Sequence, residues 1–442
     1  MSQNLTSLLV NKTRSKEIFA MAPDRLDLVV FGASGYTGKH VVKELTRIAP
    51  KYPGLTWAVA GRNKERLETL LQNVTNKTGV NLSSTRIIVA AVEDESSLRQ
   101  MCSQARLLLN CCGPFMKFGE PVVAMAIECG AHYVDVSGEK LFVDVCERKY
   151  DQPARDARVY VVPTCGLSSV PADLGVIYLQ QNFGGTLNSV ESYLVMHFPP
   201  KLLAERTKGV VRYSSWESMI NSMAAMSLRS LQQEPLLPQF KPELKQRSLI
   251  HKNLNRWCLP FPTTDTEVVN KTQRYLLSSE KQRPAQYKAY ISFPSIFTAI
   301  GIIFAGALLF LLSKVSFLRK LLLDYPRLCS FGIVTHDHPE EGVMDDMLFQ
   351  YEMFGEGWEE GSDVNNTLPN KKVVGRVSVS GSDPAYVGTA VVVIFSAIAI
   401  LQDSDKMPNR GGAMTPGIAF RNTSLVKNLQ ENNVNFEIVT KP

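Results

Sequence analysis

The sequence predicts an α/β protein: a doubly wound parallel sheet, then a second, α+β domain that carries one long apolar segment. Three observations lead there. Short β-rich runs alternate with helical patterns from Leu26 to Val162. A glycine-rich turn joins the first of those runs to the first helix. Past residue 171 the alternation gives way to longer runs, interrupted by 25 consecutive uncharged residues, Ala289–Ser313. A chain of 442 residues suits roughly two to three domains. We expect a flexible extension over 1–23, a first domain over 24–170 to which 384–442 returns, and a second domain over 171–383 that includes the apolar segment 289–313.

Composition narrows the function classes. Lys and Arg number 48 against 42 Asp and Glu, a net charge of +6, too diffuse for a nucleic-acid partner. The eight cysteines include no C-x-x-C pair and no His at ligand spacing, so no metal site is expected, and reduced thiols in a cytosol-facing protein are. Leu8, Leu9 and Val10 make too short an apolar run for a secretory signal. Lys12, Arg14 and Lys16 beside a single acid, Glu17, weakly resemble a mitochondrial presequence, but a disordered extension is the preferred reading.

The first strand, Asp27–Phe31, runs into Gly32-Ala-Ser-Gly35-Tyr-Thr-Gly38, and a helix opens with Val41, Val42, Leu45 and Ile48. Strand, glycine turn and helix in that order form a dinucleotide fingerprint. Gly32 lets the chain turn sharply, Gly35 lets a pyrophosphate approach the backbone, and Gly38 lets the helix pack close to the sheet. The helix N-terminus offers N–H groups to the phosphates. Ser34 and Thr37 join these glycines as cofactor-binding candidates. The second strand, Leu55–Ala60, ends in Gly61-Arg62. An NAD enzyme usually places an acid there for the ribose 2′-hydroxyl, whereas Arg62 can clamp a 2′-phosphate. NADP(H) is therefore favoured over NAD(H).

Further units follow. Arg86–Ala91 reads as strand three, Asp94–Ala105 as a helix, and Ala105–Cys111 as strand four, closing in Asn110-Cys-Cys-Gly113-Pro114. Pro121–Gly130 reads as a helix and His132–Val136 as strand five, closing in Ser137-Gly138-Glu139. Val159–Val162 reads as strand six, running into Ser169-Val-Pro-Ala-Asp173. Ligands of such sheets lie beyond the strand carboxyl ends, where all these loops fall. Asn110, Gly113 and Pro114 would flank the ribose and nicotinamide.

The chemistry is less legible. None of the 14 tyrosines has Lys four residues on, which excludes the short-chain dehydrogenase mechanism, and no G-x-S-x-G occurs. Asp135, Glu139 and Asp173 remain as acid/base candidates. Each has a structural alternative: Asp173 suits a first helical turn with Ser169 as N-cap, and Glu139 the first turn of a helix over Leu141–Tyr150. Cys111, Cys112 and Cys165 read as ordinary buried thiols.

Together these motifs resemble the saccharopine dehydrogenase-like oxidoreductase family. The resemblance rests on Val29–Gly38, Trp57–Arg62, Leu109–Pro114, Gly119-Glu-Pro121, Asp135–Glu139 and Ser169–Gly175, with Thr272-Gln-Arg-Tyr275 and Met414-Thr-Pro-Gly417 extending it to residue 440. It implies an N-terminal Rossmann domain, a second α+β domain, a small-molecule or lipid substrate, and association with lipid droplets or membranes. Relatives include lysine-pathway enzymes and bacterial trans-acting enoyl reductases of glycolipid synthesis, and a homodimer is the assembly to test. Two positions depart from the family pattern: Ser168 replaces an acid, and Ala91 replaces an Asp after strand three. These departures motivate the alternative of a catalytically degenerate, nucleotide-sensing protein of a lipid surface.

In the second part, Leu187–His197 reads as a strand and Ser215–Gln232 as a Met-rich helix. Residues 241–288 carry ten Lys/Arg against four acids. The core of the apolar segment, Ile296–Leu312, is long enough to span a bilayer, with Lys314, Arg319 and Lys320 beyond it. Three readings compete: a buried core helix, a single span, and a monotopic or hairpin-like insertion in which Leu318–Leu323 returns the chain. The last is preferred. Residues 336–363 hold ten acids and no Lys or Arg, which reads as a solvated loop; His336 and His338 there are not expected to bind metal. Val373–Ser380 reads as a strand, Ala385–Leu401 as an apolar helix in which Gly388 permits close packing, and the chain closes with a helix over Ser424–Gln430 and a strand over Asn435–Val439.

Overall fold

A computed structural model describes residues 25–197, 211–226, 240–261, 263–335, 347–380 and 383–440. The expected extension 1–23, His336 and His338, and the stretch 227–232 of the Met-rich helix lie outside them.

The first sheet is built by β1 (Leu26–Phe31), α1 (Tyr36–Ile48), β2 (Trp57–Gly61), α2 (Lys64–Thr78), β3 (Arg86–Val89), α3 (Glu95–Ser103), β4 (Ala105–Asn110), α4 (Phe115–Glu128), β5 (His132–Asp135), α5 (Lys140–Ala157) and β6 (Tyr160–Val162). Its pairings are parallel, as strand–helix–strand crossovers require. Helices cover both faces, so the strands are continuous apolar runs. Leu28, Val30, Val59 and Leu109 pack with α1 and α2 on one face. Val29, Phe31, Ala58 and Leu108 pack with α3, α4 and α5 on the other.

The chain then crosses into a second sheet. It contains α6 (Ser169–Asn182), β7 (Gly185–His197), β8 (Val211–Arg212), α7 (Tyr213–Ala225), β9 (His251–Asn253), β10 (Arg256–Pro260), α8 (Thr264–Glu280) and β11 (Gln286–Phe293). Three helices follow, α9 (Ile296–Lys314), α10 (Ser316–Asp324) and α11 (Pro326–Cys329), then β12 (Val334–Thr335), β13 (Leu348–Glu359) and β14 (Lys371–Val379). The C-terminal part supplies α12 (Thr389–Gln402) after a π-helical turn at Pro384–Gly388, then β15 (Gly412–Ala413), α13 (Pro416–Phe420), α14 (Leu425–Gln430) and β16 (Val434–Thr440). The strand orders are β15-β6-β5-β4-β1-β2-β3 and β16-β14-β13-β7-β11-β10-β9. The C-terminal part thus serves both sheets: β15 pairs with β6, β16 pairs with β14, and α12 is buried in the core it shares with α1.

Several expectations need correction. Residues 348–359 are not a solvated loop but the long strand β13, paired on both edges. Its acids are accommodated by partners distant in sequence, as when Arg376 donates to Glu352 at 2.7 Å. Helix α4 begins at Phe115 rather than Pro121, because the Glu139 carboxylate accepts the Phe115 and Met116 N–H groups, each at 2.9 Å. Helix α5 runs on past Tyr150 to Ala157. Ser169 is the first residue of α6 rather than its N-cap, and its hydroxyl donates to Asp265 instead.

The apolar segment forms α9, and only 11% of its apolar window is buried; the core-helix reading fails. The second apolar helix long enough to cross a membrane, Pro384–Gln402, is 72% buried and is such a core helix. The single-span reading of α9 fails on topology. Its preceding strand β11 and the later strand β13 both pair with β7, at Ser292↔Val195 and Leu348↔His197. The chain therefore leaves and rejoins one sheet at the same end. Helix α10 follows α9 after Val315, and its Leu322 meets Leu309 and Leu312 of α9 in one cluster.

Candidate functional site

The strand register gathers the sequence motifs at one edge. Phe31 is level with Ala60 on β2 and Asn110 on β4, and Asn110 with Asp135 on β5. Gly32, Arg62, the loop Cys111–Pro114 and the loop Val136–Glu139 follow directly after these ends. The chain order reverses between β1 and β4, the switch point at which such sheets hold ligands.

The glycine turn is shaped by close approaches. Gly32 has φ +78°, and a Cβ there would stand 2.7 Å from the Cys112 Sγ. At Gly38 a Cβ would stand 2.3 Å from the Gly32 carbonyl oxygen, a backbone atom. At Gly35 the nearest atom would be that same oxygen at 3.1 Å, so the outer side of the turn is open. Gly35 occupies the N-cap of α1, which has no side-chain cap and no acid in its first turn. Ser34 and Thr37 flank it, both partly exposed. An open, uncapped helix N-terminus reached over glycine is a cradle that fits a pyrophosphate. Arg62 lies exposed at the end of β2, where a 2′-phosphate would be met.

Asn110 is fully buried and committed within the loop: its amide donates to the Tyr133 hydroxyl at 3.0 Å, and its carbonyl accepts the Cys112 N–H at 2.9 Å. It shapes the turn that presents the exposed Gly113 and the half-buried Pro114, the N-cap of α4. Burial pushes the Cys112 thiol up to about 12, with Arg62 opposing, and also raises Cys111 and Cys165. Protonated thiols of this kind are not nucleophiles.

The three candidate carboxylates do not converge. Asp135 accepts the Ser137 and Thr164 N–H groups at 2.8 and 2.9 Å, bracing the loops after β5 and β6; burial lifts it to about 6 against these bonds. Glu139 caps α4 and also accepts the Ser218 hydroxyl at 2.9 Å. Asp173 is buried among motifs that lie far apart in sequence. It accepts the Thr272 hydroxyl at 2.8 Å and the Gly417 N–H at 2.6 Å, and burial pushes it up to about 7. The motifs at 169–175, 272–275 and 414–417 thus meet in a knot joining α6, α8 and α13. A Cβ at Gly417 would lie 2.6 Å from the Asp173 carboxyl.

Two residues next to the fingerprint carry no sequence signal. The Arg212 guanidinium lies 3.5 Å from the centroid of the Tyr36 ring, and the Tyr386 ring meets Tyr36 edge-on at 4.4 Å. Neither belongs to a motif; tertiary contact alone places them against the first residue of α1. Elsewhere, a cavity of about 160 Å³ is lined by Glu147, Arg155, Lys271, Arg274 and Thr415. Its charges are internally paired, Lys271 with Asp144 and Arg155 with Asp151, each at 2.9 Å.

Comparison with known proteins agrees with this geometry. Residues 28–162 match the family described as Saccharopine dehydrogenase NADP binding domain, so the first sheet is an NADP-binding domain. The chain is 35% identical to the saccharopine dehydrogenase-like oxidoreductase of Homo sapiens, covering 93% of this chain and 97% of that one. It is 33% identical to the Lipid droplet localized protein of Caenorhabditis elegans, covering 94% and 98%. Apo saccharopine dehydrogenase (L-Glu forming) from Saccharomyces cerevisiae shares the fold with a TM-score of 0.54 at 12% identity, covering 94% of this chain and 100% of that one. A fingerprint at the switch point, an arginine ending the second strand, and near-full-length likeness at this identity have one common meaning: the chain belongs to the saccharopine dehydrogenase-like oxidoreductase family.

Proposed function

We propose that the protein is an NADP(H)-dependent oxidoreductase, held on the surface of a lipid droplet or cytosol-facing membrane, that acts on a lipid-derived substrate in lipid or glycolipid metabolism. The observation that carries this reading is the exposed apolar hairpin on the same body as the NADP-binding domain. Phe297 and Phe304 on α9 are 82% and 72% exposed, and Phe317 on α10 is 73% exposed. A soluble monomer rarely shows so large a continuous apolar surface. Arg319, Lys320 and Arg327 lie beside it, suited to anionic head groups. The lipid-droplet location named for the nematode relative supports the same surface.

In this reading Gly32, Ser34, Gly35, Thr37 and Gly38 receive the pyrophosphate, and Arg62 receives the 2′-phosphate. Gly113 and Pro114, set in place by Asn110, border the ribose and nicotinamide. The cofactor supplies the hydride, and this chain's residues orient the partners and exclude water. A second reading, a nucleotide-sensing protein without turnover, is favoured by one observation. Asp135, Glu139 and Asp173 are each buried and engaged by neighbouring backbone or hydroxyl groups. The experiment is NADPH oxidation by the purified full chain with a total lipid extract. Substrate-dependent oxidation supports the enzyme; NADPH binding without oxidation supports the sensor.

A further inference from the structure

The lipid-facing hairpin and the nucleotide-side loops share one wall, helix α7. Trp216 and Ser218 are two residues apart, roughly 200° around a helix, and so face opposite ways. Towards the hairpin, the buried Trp216 indole N–H donates to the Leu322 carbonyl at 2.9 Å. Trp216 and Ile220 form a cluster with Leu322 and Val334, against which Leu309 and Leu312 of α9 pack. The Lys314 ammonium at the end of α9 donates to the carbonyls of Met223, at 2.6 Å, and Ala224, at 3.1 Å, in the last turn of α7. Towards the first domain, the Ser218 hydroxyl donates to Glu139, the carboxylate that caps α4 just after Gly113-Pro114. Arg212, immediately before α7, lies over Tyr36 at the start of α1. Pairing of Val334 with Val211 ties the far end of the hairpin to the strand that leads into α7.

We infer that α7 couples the two surfaces, so that hairpin insertion into lipid and NADPH binding favour one another. This rests on the lipid-surface reading above. Among the described residues the hairpin packs on α7, and the two segments held by α7 and by Arg212 just before it, at Glu139 and at Tyr36, border the nucleotide cradle. Lipid that fixes α9 and α10 fixes α7 against those loops. The nucleotide then meets a cradle already ordered and pays less to order it. Linkage makes the effect reciprocal: the factor by which lipid tightens NADPH equals the factor by which NADPH tightens lipid binding.

The test measures NADPH affinity of the full chain by fluorescence titration, with and without phosphatidylcholine–phosphatidylserine vesicles, and vesicle partition with and without NADPH. The coupling predicts about 5-fold tighter binding in each direction, the lower end of the range for linked sites, and slower amide hydrogen exchange across α7 when vesicles are present. Trp216→Phe keeps an aromatic ring and removes the bond to Leu322; Ser218→Ala cuts the link from the other side. Each should bring the factor towards unity. Vesicle binding with an unchanged NADPH affinity overturns the coupling and leaves the lipid-surface reading standing, whereas no vesicle binding overturns both. Full retention of the factor in both variants overturns the route through α7.

Discussion

Asp173→Asn should abolish a pH dependence that the wild-type chain carries in its core. Burial lifts the Asp173 carboxyl from its ordinary 3.8 to about 7. A rise of that size corresponds to roughly 4 kcal/mol between the two protonation states. Because the folded value is the higher one, the native state binds more protons than the unfolded chain between about pH 4 and pH 7. The stability contributed by the protonated carboxyl is therefore complete below about pH 4 and is lost as pH rises through about 7. The asparagine carbonyl keeps the bonds from Thr272 and Gly417, while its amide nitrogen takes the place of Oδ1, which has no hydrogen-bond partner among the described residues. The variant does not titrate. Measured as thermal midpoints side by side from pH 5 to pH 8, wild type should lose roughly 3 kcal/mol relative to the variant, a shift of several degrees. Parallel profiles would refute the buried-knot account. Parallel profiles combined with abolished NADPH oxidation would instead make Asp173 a proton donor.

Three further perturbations bear on the cradle and the hairpin. Arg62→Ala should weaken NADPH by about 1.5–3 kcal/mol, the range for hydrogen bonds to a charged group, and leave NADH unchanged; equal losses for both nucleotides in a titration would remove the 2′-phosphate role. Gly38→Ala places a Cβ 2.3 Å from the Gly32 oxygen and 2.7 Å from the Ala33 Cα, which should cost about 1–3 kcal/mol and abolish NADPH binding, and normal binding at an unchanged thermal midpoint would contradict the packing argument. Phe297→Glu with Phe304→Glu should remove the protein from floating vesicles, since each buried Phe is worth about 1.5–3 kcal/mol, without lowering the thermal midpoint; continued flotation would place the lipid contact elsewhere.

What could be read from the sequence was local in origin. The turn Gly32–Gly38 is contiguous, and the glycines it needs are dictated by backbone clashes within a few residues and against one neighbouring strand. Alternating apolar runs likewise announced the first sheet and its cofactor edge. The failures share a different cause, contact at long range. The acids of β13 looked like a solvated loop because their compensation comes from elsewhere: Arg376 is 24 residues beyond Glu352. The start of α4 is set by Glu139, 24 residues after Phe115. The motifs at 272–275 and 414–417 were visible as motifs, but their purpose, to surround Asp173, exists only once α6, α8 and α13 meet. Arg212 beside Tyr36 had no local signature at all. For the apolar segment, composition supplied length but not surroundings, and only the shared neighbour of β11 and β13 separates a hairpin from a span.

That shared neighbour has a consequence for how such a chain can be remodelled. Because β11 and β13 lie on either side of β7, Phe293 and Leu348 stand about 10 Å apart, two strand spacings. Among the described residues between them, no strand belongs to either large sheet. A handful of residues could close that gap and leave both sheets with every pairing intact. The exposed helices α9 and α10 are thus an insert that can be removed or exchanged without touching a strand of either large sheet.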